Sequence, residues 1–185
     1  MLAAGAWMAE LAPPLADLAV PERQVLAWLR PHEPELFAPE RFPVFNLEVE
    51  EGRYYGLPEW GVPGFKLGRY GHRGERGPAE VLRHEPDAED EKLLRSFAER
   101  YFPGGAGPTM ALRDCMFTNT PDEHFVLDRH PAFPQVVLAS PCSGHGYKFC
   151  SVVGEIVADL ASGDGATPRH DIGFLGLGRP AMRPT

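Results

Sequence analysis

Strand-like apolar patterns occur in four neighbouring stretches of the first half of the chain, at 23–29, 44–49, 53–57 and 64–70. Apolar and polar positions alternate most clearly in the second of these stretches. The pair Glu51-Gly52 separates the second from the third and is typical of a hairpin turn. The pattern therefore predicts an antiparallel sheet between residues 23 and 70.

Apolar residues at helical spacing predict two longer helices further along the chain. The first begins after Asp87, a residue type that favours the N-cap position, and ends before Pro103. Its apolar positions are Leu93, Leu94, Phe97 and Tyr101. The second is expected to end at Gly163, and its apolar positions are Val152, Val153, Ile156, Val157 and Leu160. A buried strand is predicted between the two helices, at 136–139.

The two ends of the sequence predict short elements. Residues 2–4 have the pattern of a strand remnant, Gly5 is a tight turn, and a short helix with Trp7, Met8 and Leu11 on its apolar face follows. Near the other end, 165–169 is expected to be a turn, and the tail from Arg179 is expected to be frayed.

Composition places the chain among ordinary globular proteins, with 185 residues, 43% hydrophobic and 24% charged. The net charge of -8 argues against a nucleic-acid partner, because no basic stripe is present to neutralise phosphates. The acidic run at 85–91 has the pattern of a solvated helix start. No apolar stretch is long enough to span a membrane. The three cysteines form no C-x-x-C pair, which favours a reducing cytoplasm.

Two segments of the second half carry candidate chemistry. Residues 143–149 form a glycine-rich turn with His145 and Lys148 between a strand and a helix, where backbone N–H groups bind cofactor edges. The same pattern also fits a plain turn. Cys115 is either a small buried apolar residue or a thiolate, and Lys66 is either a surface residue with a buried stem or a functional amine. No G-x-G-x-x-G dinucleotide fingerprint occurs in the sequence.

Other site classes find less support in the spacing of residues. His72, His124, His130 and His145 match no usual zinc pattern, so no metal site is predicted. A Cys115–His145 dyad would suggest a thiol hydrolase, but the sequence points to neither an orienting third group nor an oxyanion hole.

An ordered set of short segments resembles the C-terminal half of the monomeric sarcosine oxidase and N-methyltryptophan oxidase family, which are flavoenzymes. The match extends over nearly the whole chain. The segments are Leu2-Ala3-Ala4-Gly5-Ala6-Trp7, Arg23-Gln24, Phe42-Pro43-Val44-Phe45, Tyr54-Tyr55-Gly56, Gly64-Phe65-Lys66-Leu67-Gly68, the run from Cys115 to Phe125, and Gly144-His145-Gly146-Tyr147-Lys148-Phe149.

The resemblance implies FAD as the cofactor and assigns roles to individual residues. Cys115 would bond covalently to the 8α carbon of the flavin, Lys66 would activate oxygen, and Lys148 would bind the substrate carboxylate. His72 is carried over as a residue of the substrate pocket, and Phe117 as a substrate contact. The residues implied to contact FAD are Ala4, Gly5, Trp7, Met116, Gly144, His145 and Gly146.

The sequence departs from the family pattern at two places beside these segments. Phe117 lacks the hydroxyl of the tyrosine that is frequent there, which leaves the substrate open. Pro141-Cys142 replaces the usual glycine-phenylalanine before the glycine-rich turn.

The fold implied is α+β, with an antiparallel substrate-domain sheet packed with helices. It also includes the C-terminal part of an FAD-binding domain whose Rossmann half is absent. The domains expected are 1–20, a remnant of the FAD-binding domain, 21–110, part of the substrate domain, and 111–185, the C-terminal part of the FAD-binding domain. Met1 falls where the family has valine, so one hypothesis is a reading frame shortened by initiation at a valine codon.

The function implied is oxidation of a secondary amine, an N-methyl amino acid, by O₂ to an imine or aldehyde and H₂O₂, in the cytoplasm. This chain alone is expected to show no independent turnover. The expected partners are the amine and O₂, with no nucleic acid and no membrane. The alternative is a catalytically inactive fragment or interaction domain without flavin, which associates through exposed apolar surface.

Overall fold

A computed structural model describes residues 1–162 and 169–183 and divides the chain into two compact units. Unit 1 consists of Met1–Glu22, Arg76–Val81 and the chain from Met116 onward. Unit 2 consists of Arg23–Glu75 and Leu82–Cys115. The helix stop predicted at Gly163 and the turn predicted from Gly165 lie outside the described residues, apart from Arg169.

An antiparallel sheet dominates unit 2, which confirms the predicted α+β fold class. Its five strands follow the order β2-β3-β4-β1-β5. They are β1 Val20–Leu29, β2 Phe45–Val49, β3 Gly52–Leu57, β4 Phe65–Arg69 and β5 Thr109–Asn119. The register pairs Val49 with Gly52 at the predicted hairpin turn. The strands predicted from the apolar pattern are therefore present, with bounds that differ by a few residues.

Strand β5 is the element of this sheet that the apolar pattern did not predict. Along its eleven residues the side chains are mostly half-buried, with no regular alternation between buried and exposed positions. Polar residues such as Arg113 and Asp114 interrupt the apolar ones. Period-two patterning is therefore weak in this segment, although the strand pairs with β1.

Helix α2, Ala88–Tyr101, packs on one face of the sheet and begins at the predicted N-cap. Asp87 and Asp90 form a reciprocal capping box, in which each carboxylate accepts a hydrogen bond of 2.9 Å from the other residue's backbone N–H. The core between helix and sheet is rich in aromatic rings, and the rings of Tyr54 and Phe97 stack with centroids 3.9 Å apart.

Unit 1 contains a two-stranded antiparallel sheet, β6 Val126–Arg129 and β7 Val137–Ser140. Leu2 extends it through a parallel bridge to Leu138, which agrees with the predicted strand remnant. Strand β7 matches the predicted buried strand, whereas β6 was not predicted.

Two helices belong to unit 1. The first, α1, spans Met8–Leu11, and the second, α3, spans Cys150–Ala161. One core lies around Met8, Leu15 and Leu138, and another lies between α3 and the strands.

The segment 179–182 is ordered by contacts within unit 1, so the prediction of a frayed tail from Arg179 is wrong for these residues. Arg179 is buried, and its guanidinium donates hydrogen bonds of 2.7 and 2.9 Å to the two carboxylate oxygens of Asp122. Met182 is buried in the core around Met8. A bidentate ion pair and an apolar anchor explain why the segment holds its place.

Among the described residues, no helix has both the length and the apolar character that a membrane crossing requires.

Candidate functional site

The strand register of unit 2 gathers candidate residues on the sheet face opposite helix α2. On β4, Phe65 and Leu67 are fully buried in the core, so Lys66 and Gly68 point to the other face. Lys66 pairs with Trp28 of β1 and with Leu57 of β3. Because paired residues share a face, Trp28 and Lys66 lie side by side there.

Lys66 and Cys115 are electrostatic neighbours on this part of unit 2. Burial raises the pKa of the Cys115 thiol, the Asp114 carboxylate raises it further, and the Lys66 ammonium opposes both. The net result is a thiol pKa above its ordinary value, with Lys66 as the group that favours the thiolate. The structure therefore brings together two residues that the sequence singled out 49 positions apart.

Tyr55 is a third residue of this group, and sequence reasoning gave it no role. Its pKa is raised by burial and by its proximity to Cys115 and Tyr70. A Cβ on Gly68 would lie 2.7 Å from the Tyr55 hydroxyl oxygen. The Tyr55 ring therefore lies over β4 at the position where Gly68 has no side chain. The sequence contained a signal for this position in the alternation along β3. Because Tyr54 is buried in the core, Tyr55 points to the other face of the sheet.

His72 lies in a different part of unit 2, within a buried ionic cluster. It is 2% exposed, and its Nε2 is 3.0 Å from Oδ1 of Asp90, which also pairs with Arg23. The other ring nitrogen, Nδ1, has no hydrogen-bond partner among the described residues. The contacts of His72 tie the chain after β4 to the start of α2.

Lowering the pH is expected to destabilise the protein through His72. Burial lowers the pKa of its imidazole from the ordinary value of 6.5, so the unfolded state takes up the proton first as the pH falls. Stability is fully present above about pH 6.5 and is lost below it, by at most about 1.4 kcal/mol per pH unit.

Urea unfolding across this range measures the effect. The control is His72→Gln, whose amide can still donate to Asp90 but does not titrate. We expect a shallower pH dependence for the variant, and identical dependences would show that His72 does not contribute.

The glycine-rich turn of unit 1 follows β7 and is fixed by backbone contacts. The backbone N–H of Ser143 donates a hydrogen bond of 2.9 Å to the carbonyl of Thr118 on β5. Ser143 and Gly144 both adopt positive φ, at 51° and 73°. A Cβ on Gly144 would lie 2.5 Å from the Phe117 ring, so the turn packs directly on that ring.

The side chains of this turn differ in how they are held. His145 donates from Nε2 to the backbone carbonyl of Glu123 at 2.9 Å, and its ring packs on Phe125 with centroids 4.9 Å apart. Lys148 is exposed, with Nζ 5.3 Å from the centroid of Phe149. His145 is therefore anchored, whereas the Lys148 ammonium is accessible.

A groove of about 540 Å³ runs along this turn within unit 1. Most of the sequence-predicted residues of unit 1 are brought together there. Its lining residues are Met116, Phe117, Pro141, Cys142, Gly144, His145, Gly146, Tyr147 and Lys148.

Gly146→Ala is expected to open the turn, because its Cβ would lie 1.6 Å from the carbonyl oxygen of Pro141. The overlap is with backbone and cannot be relieved by a rotamer change, so we expect a loss of about 1–3 kcal/mol in the free energy of unfolding. Gly154→Ala on α3 is the matched control, since its Cβ would meet nothing within 4 Å. That variant is expected to gain about 0.5–1 kcal/mol. Equal stability of the two variants in urea unfolding would contradict the packing described here.

The turn near the N-terminus brings Ala4, Gly5 and Trp7 together in unit 1. Gly5 has φ of 55°, and the backbone N–H of Trp7 donates to the carbonyl of Ala4 at 3.0 Å. The Trp7 indole is 42% exposed and donates a hydrogen bond to Glu80. Apart from His72, which lies in the ionic cluster, the predicted site residues thus form one set in unit 2 and two sets in unit 1.

Among residues 1–162 and 169–183, no group of three or more histidine, cysteine, aspartate or glutamate residues is arranged to hold a metal ion.

Comparison with known proteins agrees with the sequence resemblance. Monomeric sarcosine oxidase of Bacillus sp. (strain NS-129) is 41% identical over 184 residues, which cover 97% of this chain and 46% of the relative. N-methyl-L-tryptophan oxidase of Salmonella typhi is 33% identical, covering 97% of this chain and 47% of the relative. The chain thus spans about half the length of the curated relatives it matches.

Solved structures share the fold at lower identity. The fructosamine oxidase Amadoriase II of Aspergillus fumigatus superposes with a TM-score of 0.74 at 20% identity, covering 98% of this chain and 43% of that structure. The family model described as FAD dependent oxidoreductase matches residues 1–160. From this match and the 41% identical relative, we conclude that the chain belongs to the family of FAD-dependent oxidoreductases.

Proposed function

We propose that this chain forms part of an FAD-dependent oxidase of secondary amines, with an N-methyl amino acid as substrate. The overall reaction consumes the amine, O₂ and water and yields the primary amine, formaldehyde and H₂O₂. Relatives named for oxidation of sarcosine and N-methyl-L-tryptophan support this substrate class. The observation that carries the proposal is the placement of Lys66 on the sheet face opposite helix α2, where its ammonium favours the thiolate of Cys115.

The residues present fit an isoalloxazine ring and its attachment. Unit 2 contains a half-buried thiol, Cys115, and a half-buried ammonium, Lys66, whose charge favours the thiolate. In unit 1, Gly144 and Gly146 allow a backbone turn too tight for side chains, and such turns direct N–H groups toward a ligand. Cys115 would hold the cofactor covalently. Met116, Gly144, His145 and Gly146, with Ala4, Gly5 and Trp7, would contact it.

Bound FAD would supply the hydride acceptor for the amine and the electrons for O₂. The fixed Lys66 ammonium would stabilise negative charge that develops on oxygen. The exposed Lys148 ammonium would bind the substrate carboxylate, and Phe117 would supply an apolar contact without a hydroxyl. The contacts of His72 support a structural role more directly than a place in the substrate pocket.

The proposal also assigns the parts of the chain. Residues 1–20 and 111–185 would belong to the FAD-binding domain, and residues 21–110 to the substrate domain. Strands β2, β3 and β4 and nearly all of β1 lie within 21–110 and support the second assignment, because they present Lys66 on the sheet face opposite helix α2.

A peroxidase-coupled assay for H₂O₂ tests the function. The purified 185-residue chain is incubated with FAD and then given sarcosine or N-methyl-L-tryptophan in air. H₂O₂ production that depends on both FAD and amine, and that falls in the Lys66→Met variant, would support the proposed function. FAD binding without amine-dependent reduction under anaerobic conditions would overturn the substrate class.

A second candidate is a folded chain that binds no flavin. Such a protein would interact through apolar side chains on its surface, as exposed Trp60 and Tyr147 suggest. Equilibrium dialysis against FAD separates the two: no bound FAD supports this candidate and contradicts the oxidase.

A further inference from the structure

Trp28 is placed directly against Lys66 by the pairing of β1 with β4. The two residues are opposite each other in the register, and Nζ of Lys66 lies 4.9 Å from the centroid of the Trp28 ring. Both side chains are half-buried. The distance lies within the range in which an ammonium is attracted to the face of an indole ring.

This contact matters because a lysine ammonium is otherwise poorly held. Its four-carbon stem has many rotamers, and its charge is a compact point that water competes for. No carboxylate of the described residues forms a salt bridge with Lys66, so the indole face is the charge-stabilising contact found there.

The position of the Lys66 charge has a consequence for Cys115. Burial and Asp114 both disfavour the thiolate of Cys115, and Lys66 is the neighbouring group that favours it. A lysine free to swing into solvent would lose this influence, since attraction between charges weakens with distance and with hydration.

Cys115 lies on β5, the strand next to the β1 strand of Trp28. We propose that Trp28 is a positioning residue, whose indole face holds the Lys66 ammonium where its charge acts on the Cys115 thiol before any ligand binds. Its relevance to flavin attachment rests on the proposed function, whereas the positioning itself does not.

The rate at which iodoacetamide alkylates Cys115 tests the inference without flavin, because only the thiolate reacts. The rate is measured between about pH 7 and pH 10 by peptide mass spectrometry, which separates Cys115 from the other two cysteines. Trp28→Leu is expected to slow alkylation of Cys115 about threefold near pH 8, corresponding to a shift of about half a pH unit. Lys66→Met is expected to slow it at least as much.

Three further measurements separate positioning from a general structural effect. Trp28→Phe, which keeps an aromatic face, is expected to retain most of the wild-type rate. Trp28→Leu is expected to have no added effect in the Lys66→Met background, because the two act through one charge. Trp60→Leu, a control at an exposed tryptophan of the same unit, is expected to leave the profile unchanged.

An unchanged Cys115 profile in Trp28→Leu, with a slowed profile in Lys66→Met, would overturn the proposal. The proposal would also be overturned if Trp28→Leu slowed the alkylation of Cys115 equally in the wild-type and Lys66→Met backgrounds. If Trp28→Leu does not fold, Trp28→Met, whose flexible side chain also lacks an aromatic face, carries the same comparison in both lysine backgrounds. If the wild-type protein binds no FAD but the alkylation profiles of Cys115 are as expected, the proposed function is contradicted and this inference is not.

Discussion

Asp90→Asn is expected to lower the free energy of unfolding by about 3–5 kcal/mol, because it removes one partner of a buried ion pair. Asp90 is fully buried and accepts hydrogen bonds of 2.7 and 3.1 Å from the Arg23 guanidinium, which is 1% exposed. Arg73 and Arg83 approach the same carboxylate at 3.3 and 3.6 Å. Loss of the negative charge leaves three guanidinium groups around a neutral amide.

Urea unfolding at neutral pH measures this effect. Glu89→Gln, on the same helix turn but 67% exposed in its side chain, is the matched control and should stay within about 0.5 kcal/mol of wild type. The double variant Arg23→Met/Asp90→Asn is expected to recover part of the loss, since it removes the buried Arg23 guanidinium that Asp90→Asn leaves without its carboxylate partner. A cost below about 1 kcal/mol for Asp90→Asn would show that water or relaxation compensates the pair.

The ionic cluster also predicts the pH below which acid destabilises the folded protein through Asp90. Hydrogen bonds from Arg23, the Asp87 N–H and His72 hold the pKa of Asp90 well below its ordinary value, against the opposing effect of burial. The unfolded chain therefore takes up this proton first as the pH falls below about 4, and stability is lost from there downward. The pH range in which Asp90 acts lies below that in which His72 acts. Measuring the free energy of unfolding against pH therefore separates the two effects.

Cys115→Ser is expected to abolish covalent attachment of flavin. Under the proposed function, wild-type protein incubated with FAD in air should retain flavin fluorescence on a denaturing gel. The variant should release all of its flavin on denaturation. Formation of the sulfur–carbon bond at the 8-methyl group gives up two electrons and two protons, which O₂ accepts as H₂O₂. Attachment should therefore require air.

Two cysteine variants in unit 1 provide the controls for this experiment. Cys142→Ser and Cys150→Ser are expected to keep the attached flavin, because under the proposed function Cys115, whose thiolate the Lys66 ammonium favours, is the point of attachment. Flavin that remains bound to Cys115→Ser after denaturation would contradict the role of the thiol. Flavin lost from all three variants alike would point to a failure of noncovalent binding instead.

The elements that the sequence predicted well are those with one clear face toward a core. Helix α2 has its capping box and a regular apolar spacing, and β4 alternates buried Phe65 and Leu67 with Lys66. Strand β5 escaped prediction because its side chains are mostly half-buried on both faces, which leaves no period in the sequence. Strand β6 has only four residues, too few to show a period.

The site was predictable only as far as its residues belong to a recognisable pattern. Lys66 and Cys115 were singled out by resemblance, but nothing local in the sequence pairs them, because strand register is a long-range property. Trp28 and Tyr55 join them for the same reason. The ionic cluster around His72 was likewise out of reach, since it joins residues 67 positions apart, Arg23 and Asp90.

The bridge between Leu2 and β7 has a consequence for synthesis on the ribosome. The backbone N–H of Leu2 bonds to the carbonyl of Val137, which lies 135 residues later in the chain. At a synthesis rate of about 5–20 residues per second, the ribosome needs roughly 7–27 seconds to reach Val137 after Leu2. During this interval the apolar side chains of Leu2 and Met8 cannot enter the core that they share with Val126 and Leu138. Nascent chains of this protein are therefore expected to recruit holding chaperones early, before unit 1 can close.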